Sequence, residues 1–391
     1  LSDIRVEPAR DQHMVFARGG PVWPDFDAQT SVRQCRAGKP VDRLPDTAPG
    51  DPVILDQPCV WGGQVFRHFG HFVAEFATRL LHSKVKRPHD LYLFQLPPGQ
   101  ELSYVPDFFW HVLAWYGIAR DQVRFVTDRP YLVRELWVAP QAEQLPDIAP
   151  SAAYLDLLDD LGRLHGSAVA PSQVTYVSRS ELHAGHGRQA GEGYLDSCLQ
   201  KLGIHILHPE RETLHRQIQV YASASTLVFS EGSALHGRQL IGRVPQKIQV
   251  FNRRKGKRTA QDILAPRCQS IGYTEAVTGE LCVLMEDGRP RSQSGLGIFD
   301  LDAVFAAFRA LGYDLSTVWS QTDYEQALEA DLLAWAAFSF RPERNAPTDA
   351  SLALLREQTA SLGLQTFMQR IERIATGQIS QNSVRQTRYQ G

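Results

Sequence analysis

Val174-Thr175-Tyr176-Val177-Ser178-Arg179 opens the stretch whose reading decides the fold. Its β-branched and aromatic residues predict a buried strand. A helical pattern follows over 194–202, a strand over Ile204-His205-Ile206-Leu207, and a helix over 214–224. Then come the strand Leu227-Val228-Phe229, a helix over 233–241 and a strand over 247–251. Strand and helix alternate at lengths that suit βαβ crossovers, so the stretch predicts a four-strand, Rossmann-like parallel half.

Working outward, the N-terminal side repeats the theme less cleanly. Phe69, Phe72, Val73, Phe76 and Leu80 recur at three- and four-residue steps and predict a helix ending near His82. A strand over 90–96, a helix over 107–116 and a strand over 123–126 complete a second α/β half. The first sixty residues, rich in Pro, Gly and Asp, read as loops and short strands. Residues 147–171, with a helix near 152–164 and proline at both ends, read as a connector. The expected domains are 1–165 and 166–260, both Rossmann-like, then a mixed and finally helical extension over 261–391. That extension carries predicted helices at 301–311, 324–338 and 350–375, and a polar last dozen residues expected to fray.

Composition narrows the function. The 391 residues are 43% hydrophobic and 21% charged, ordinary globular usage that can fill several cores. A net charge of -2 gives no global field for nucleic acid, which is excluded as a partner. No apolar run is long enough to span a bilayer, so a cytoplasmic protein is expected, with a peripheral contact at the inner membrane as the alternative. The five cysteines are odd in number and widely spaced, which predicts free thiols rather than a disulfide framework. Only seven of the 41 basic residues are lysine; arginine suits bidentate contacts with phosphate.

Four constellations carry chemistry. His71, Glu75 and Arg79 stand at successive four-residue steps, one face of a helix, where a carboxylate behind an imidazole builds a general base. The same helix also permits a metal reading through His68, His71 and Glu75. Ser230-Glu231-Gly232-Ser233-Ala234-Leu235-His236-Gly237 follows a strand directly, which puts backbone N–H groups at the carboxyl edge of the sheet. It is neither a hydrolase elbow nor a dinucleotide fingerprint. Arg179 after its strand, with Arg188 and Glu192 beyond, could neutralise a diphosphate without metal. Arg253-Arg254-Lys255-Gly256-Lys257-Arg258 reads as a solvated loop that nevertheless leaves the same sheet edge.

Taken together, Gly70-His71-Phe72-Val73-Ala74-Glu75 with Arg79-Leu80, then Arg179, Arg188, Glu192, and Glu231-Gly232-Ser233-Ala234-Leu235-His236, resemble glycosyltransferase family 61 and its bacterial relatives in capsular polysaccharide biosynthesis. The likeness covers about residues 60–252. It implies a GT-B-like fold, with two Rossmann-like domains facing a cleft, the first on the acceptor side and the second binding the nucleotide sugar. It implies an inverting transfer to a glycan or other hydroxyl acceptor, in bacterial surface polysaccharide synthesis. It assigns His71 and Glu75 to catalysis, and Arg179, Arg188, Glu231, Gly232, Ser233 and His236 to the donor. With no Asp-x-Asp pair within residues 60–252, neither a metal ligand set nor a cofactor is expected. Gly191 and Gly237 stand where the family often has Asn. Two alternatives stay open: a catalytically inactive sugar- or partner-binding scaffold, and a metal-dependent hydrolase on His68, His71 and Glu75.

Overall fold

The structure, a computed structural model, describes all residues except 14, 15, 29, 48, 49, 147, 167–172 and 380–391; the tail expected to fray lies outside it. The chain is mixed α/β with parallel sheets. In the N-terminal part the strands are β1 (Ser2–His13), β2 (Phe16–Pro21), β3 (Cys35–Arg36), β4 (Lys39–Pro40), β5 (Val53–Leu55), β6 (Cys59–Gln64), β7 (Leu91–Gln95), β8 (Val123–Val126) and β9 (Tyr131–Trp137). One sheet runs β2-β1-β9-β6-β7-β8, with β5 also on β9, and β3 and β4 form a separate small hairpin. The β6, β7 and β8 ladder is parallel, and every residue of β7 is buried, as a central strand covered on both faces must be.

Two of these strands are surprises. β1 is long and antiparallel to both β2 and β9, where loops and short strands were expected. Its charged residues hide Ile4 and Val6, which are buried, and the register shifts between Glu7 and Asp11, around Pro8, which lacks a ladder donor. β9 went unread because Arg134 and Glu135, both exposed, interrupt its apolar run.

The second sheet comprises β10 (Gln173–Val177), β12 (His205–Leu207), β13 (Ala224–Ser230), β14 (Lys247–Phe251) and β15 (Ser270–Thr274), in the order β12-β10-β13-β14-β15. All four ladders are parallel. The sequence predicts four of its strands; β15, half-exposed on the edge and carrying Gly272, is the fifth and runs past residue 260. Chain order reverses between β10 and β13, which makes the gap between their carboxyl ends the topological switch point of the sheet. A third sheet joins β11 (Arg188–Ala190) to β17 (Leu296–Phe299) and β17 to β16 (Val277–Leu281).

The C-terminal helices Leu301–Ala310, Gln321–Ser339, Thr348–Ser361 and Met368–Ala375 share one core with the second sheet, where Tyr176 and Phe251 meet Phe308 and Trp335. The helix predicted over 350–375 is split after Ser361, with Gly363 in the left-handed region at φ +70°. Another core spans the two halves, with Phe72, Phe109 and Trp115 in the same cluster as Tyr221, Leu235 and Leu240.

Candidate functional site

The helix predicted from Phe69 is irregular where its polar residues lie. It begins as one α turn, Phe69–His71, passes through a π turn, Phe72–Phe76, and a 3-10 turn, Ala77–Arg79, before regaining α geometry at Leu80. π turns insert a residue and re-aim side chains. Glu75 sits in that turn and is buried, yet it is fully engaged. Arg36, on β3, grips it bidentately, Nε to Oε2 and Nη2 to Oε1, both at 2.7 Å. His71 Nδ1 makes a short hydrogen bond to Oε1. Gln34 and Gln141 donate to the Glu75 carbonyl at 2.8 and 2.9 Å and hold the turn open. Although burial opposes ionisation, these bonds win and keep the Glu75 carboxyl below its usual range. Nδ1 of His71 therefore carries the proton it donates to Glu75, and Nε2 is left as a lone-pair acceptor. Arg79 instead turns into the protein, donating to the Val32 and Arg33 carbonyls.

His68 caps this helix. Its Nδ1 accepts the His71 N–H at 3.3 Å, so its proton sits on Nε2. Burial, reinforced by His71, His236, His186 and Arg179, pushes its pKa down to about 4.

The switch point lies beside them. Arg179 follows β10, and its guanidinium bonds only backbone carbonyls: Gly187 from Nε at 3.2 Å, and His186 and Gly187 from Nη2 at 2.5 and 2.8 Å. Among the described residues it has no carboxylate ion pair, and burial with Arg253 nearby holds its pKa down to about 10. Arg253, after β14, is also buried; Nη1 donates to the Ser292 carbonyl at 3.1 Å, and Nε is left unbonded. Glycines make room for both. A Cβ on Gly232 would lie 1.9 Å from Arg179 Nη1, and one on Gly187 would lie 2.8 Å from Arg253 Cζ.

The remaining predicted residues are placed as follows. Arg188 is 2% exposed and forms an ion pair at 2.5 Å with Asp331 of the helix Gln321–Ser339, while its Nη1 donates to the Ser180 and Leu182 carbonyls. Asp331 also accepts the Gly191 N–H at 2.9 Å, so the C-terminal helix clamps the loop that carries Arg179. Glu231 is engaged within the protein: it accepts the N–H groups of Arg253 and Arg254 at 2.9 and 3.0 Å, the Arg254 side chain, and the Thr259 hydroxyl at 3.0 Å. Gly232 and Ser233 form the tight turn into the helix Ala234–Gly237, and Ser233 makes no side-chain cap. His236 Nδ1 lies 2.5 Å from Gln239 Oε1, and its Cδ2 edge lies 2.7 Å from where a Cβ on Gly70 would be. Thus Gly70 and His236, 166 positions apart in the chain, meet edge to edge. Gly191 has φ +78°, and a Cβ there would lie 2.5 Å from the Tyr324 ring; a Cβ at Gly237 would lie 3.0 Å from Tyr221.

The metal reading of His68, His71 and Glu75 finds a guanidinium already on the carboxylate and a backbone N–H on His68 Nδ1. The one cluster of ligand atoms within 4.8 Å among the described residues is Glu181, His208 and Glu210, where Arg211 pairs with Glu181. Sequence reasoning missed Arg36, Arg253, Gln239 and Asp331. The basic run at 253–258 was a usable signal for Arg253; a lone Arg on a two-residue strand gave none.

Compared with known families, the chain matches the one described as Glycosyltransferase 61 over residues 69–238, a span that begins with the His71 helix and ends just past the His236 turn. No curated protein matches the chain.

Proposed function

From the match of residues 69–238 to glycosyltransferase family 61, we propose that this chain is a glycosyltransferase that transfers a sugar from a nucleotide-sugar donor to a hydroxyl acceptor with inversion at the anomeric carbon. The observation that carries this reading is a pair of buried arginines, Arg179 and Arg253, without carboxylate partners among the described residues, at the switch point of a parallel sheet. Anionic ligands bind at such points, and guanidinium groups suit a diphosphate.

In the step we envisage, His71 Nε2 takes the proton of the acceptor hydroxyl as that oxygen bonds to the anomeric carbon. The bond from that carbon to the diphosphate oxygen breaks, and its electron pair leaves with the diphosphate. Glu75, held by Arg36, stabilises the imidazolium that forms. Arg179 and Arg253 stabilise the leaving charge, so the role of a divalent ion falls to protein cations. Arg188 and Glu231 position the two loops, while Gly232, Ser233 and His236 face the donor. A groove of about 720 Å³, with Pro8, Arg10, Gln100, Glu101 and Asp128 in its lining, lies at the carboxyl ends of β7 and β8. The parallel ladders in both sheets support a GT-B-like arrangement, and we assign the protein a cytoplasmic role in surface polysaccharide synthesis. Among the described residues no helix is long and apolar enough to cross a membrane.

Turnover of a panel of nucleotide sugars, with and without EDTA, tests the reading. We expect release of one nucleoside diphosphate, insensitive to EDTA and lost in His71→Ala with the fold retained. No turnover with any donor, or full activity in that variant, would overturn it.

A further inference from the structure

His236 ends a chain of buried polar groups that crosses the two halves of the protein. Gln239 Oε1 meets His236 Nδ1 at 2.5 Å, and Gln239 Nε2 donates to Glu143 Oε1 at 3.2 Å. Glu143 in turn pairs with Arg267, Nη1 to Oε2 at 2.8 Å and Nη2 to Oε1 at 3.1 Å, and both side chains are almost fully buried. Glu143 follows β9 of the first sheet, Gln239 lies in the 3-10 turn Arg238–Leu240, and Arg267 precedes β15.

The chemistry allows one polarity. Burial pushes the Glu143 carboxyl up, and the Arg267 guanidinium, which meets both of its oxygens, together with the Gln239 amide favours the charged, accepting form. An ionised carboxylate takes only the NH₂ end of an amide, and Gln239 is thereby fixed with its oxygen toward His236. That oxygen accepts only from a protonated Nδ1, so Nε2 is the bare nitrogen. Among the described residues Nε2 bonds no protein group, although His236 is only 8% exposed.

We propose that Gln239, set by Glu143 and Arg267, is a positioning residue that fixes the tautomer of His236, so that Nε2 accepts a hydrogen bond from a hydroxyl of the donor sugar. This rests on the donor reading above. A site built to accept a hydroxyl proton discriminates strongly against a group that cannot give one. The groups facing His236 are His71, Glu75 and His68 on the neighbouring helix and Gln239 on its own. Burial leads in keeping His236 neutral, which preserves the acceptor at neutral pH.

The test has two readouts. The imidazole ¹⁵N shifts of the full-length protein without ligand should show His236 protonated on Nδ1. In Gln239→Leu that preference should be lost, and KM for the nucleotide sugar should rise about tenfold or more, while the Kd of the nucleoside diphosphate alone stays within about twofold. The swap Glu143→Gln with Gln239→Glu keeps the net charge and returns an acceptor to His236. It should restore the Nδ1 tautomer and move the acid limb of the kcat/KM profile to higher pH, because a carboxylate now faces the ring. A wild-type His236 protonated on Nε2 overturns the proposal, as does an unchanged KM in Gln239→Leu. If Gln239→Leu does not fold, the wild-type tautomer and the swap decide. An Nδ1-protonated His236 in a protein that turns over no nucleotide sugar leaves the relay supported and overturns the donor reading instead.

Discussion

At the scale of single residues, the site is defined by which charges have partners. Glu75 has Arg36 and His71; Arg179 and Arg253 have backbone carbonyls. Replacing Glu75 with Gln removes the charge that stabilises the His71 imidazolium, and kcat should fall about 100-fold or more. A kcat near wild type would rule out that role. His68 offers a second check through acid stability. Its native pKa, about 4, lies below the value of about 6.5 expected in the unfolded chain. Between those values the unfolded state binds more protons, so stability is full above about pH 6.5 and falls as pH drops toward 4. His236 and His186, also lowered by burial, act in the same direction. His68→Asn keeps a capping acceptor and removes one titration, so its Tm should fall less than that of wild type between pH 7 and 5. Parallel Tm curves for the two proteins would contradict this.

At the scale of elements, the second sheet was legible because its strands are short apolar runs separated by amphipathic helices, the pattern a doubly wound sheet imposes. β1 and β9 were not, because charged residues on their exposed positions mask the buried ones. The site was legible as a set of residue types, and His71 with Glu75 meets as the four-residue spacing predicts, although through a π turn that no periodicity announces. What spacing could not give was direction: Glu231 bonds the following loop and Arg188 a distant helix, since such pairings depend on tertiary neighbours. Loop conformation itself carries a prediction. A Cβ at Gly232 would collide with the flexible end of Arg179 rather than with backbone, so Gly232→Ala should fold and lose nucleotide affinity by about tenfold, one lost charged hydrogen bond or so. Unchanged affinity would mean that Arg179 does not hold the ligand.

At the scale of the whole molecule, the C-terminal helices, outside the matched span, work on the site from behind. Asp331 holds both Arg188 and the Gly191 N–H, and Tyr324 fills the space beside Gly191. Asp331→Ala strips a carboxylate from a buried arginine, a change that typically costs about 3–5 kcal/mol, and should lower Tm and weaken nucleotide binding together. Loss of stability with binding intact would confine Asp331 to the fold. On the proposed reading Arg179 and Arg253, which have no carboxylate partner among the described residues, seat a diphosphate at the switch point. Calorimetric titration of UDP and GDP into wild type, Arg179→Ala and Arg253→Ala, each with and without EDTA, tests it most directly. One nucleoside diphosphate should bind wild type regardless of EDTA, and each variant should lose at least about tenfold in affinity while keeping its fold. Absence of binding to wild type, or equal binding by all three proteins, would contradict it.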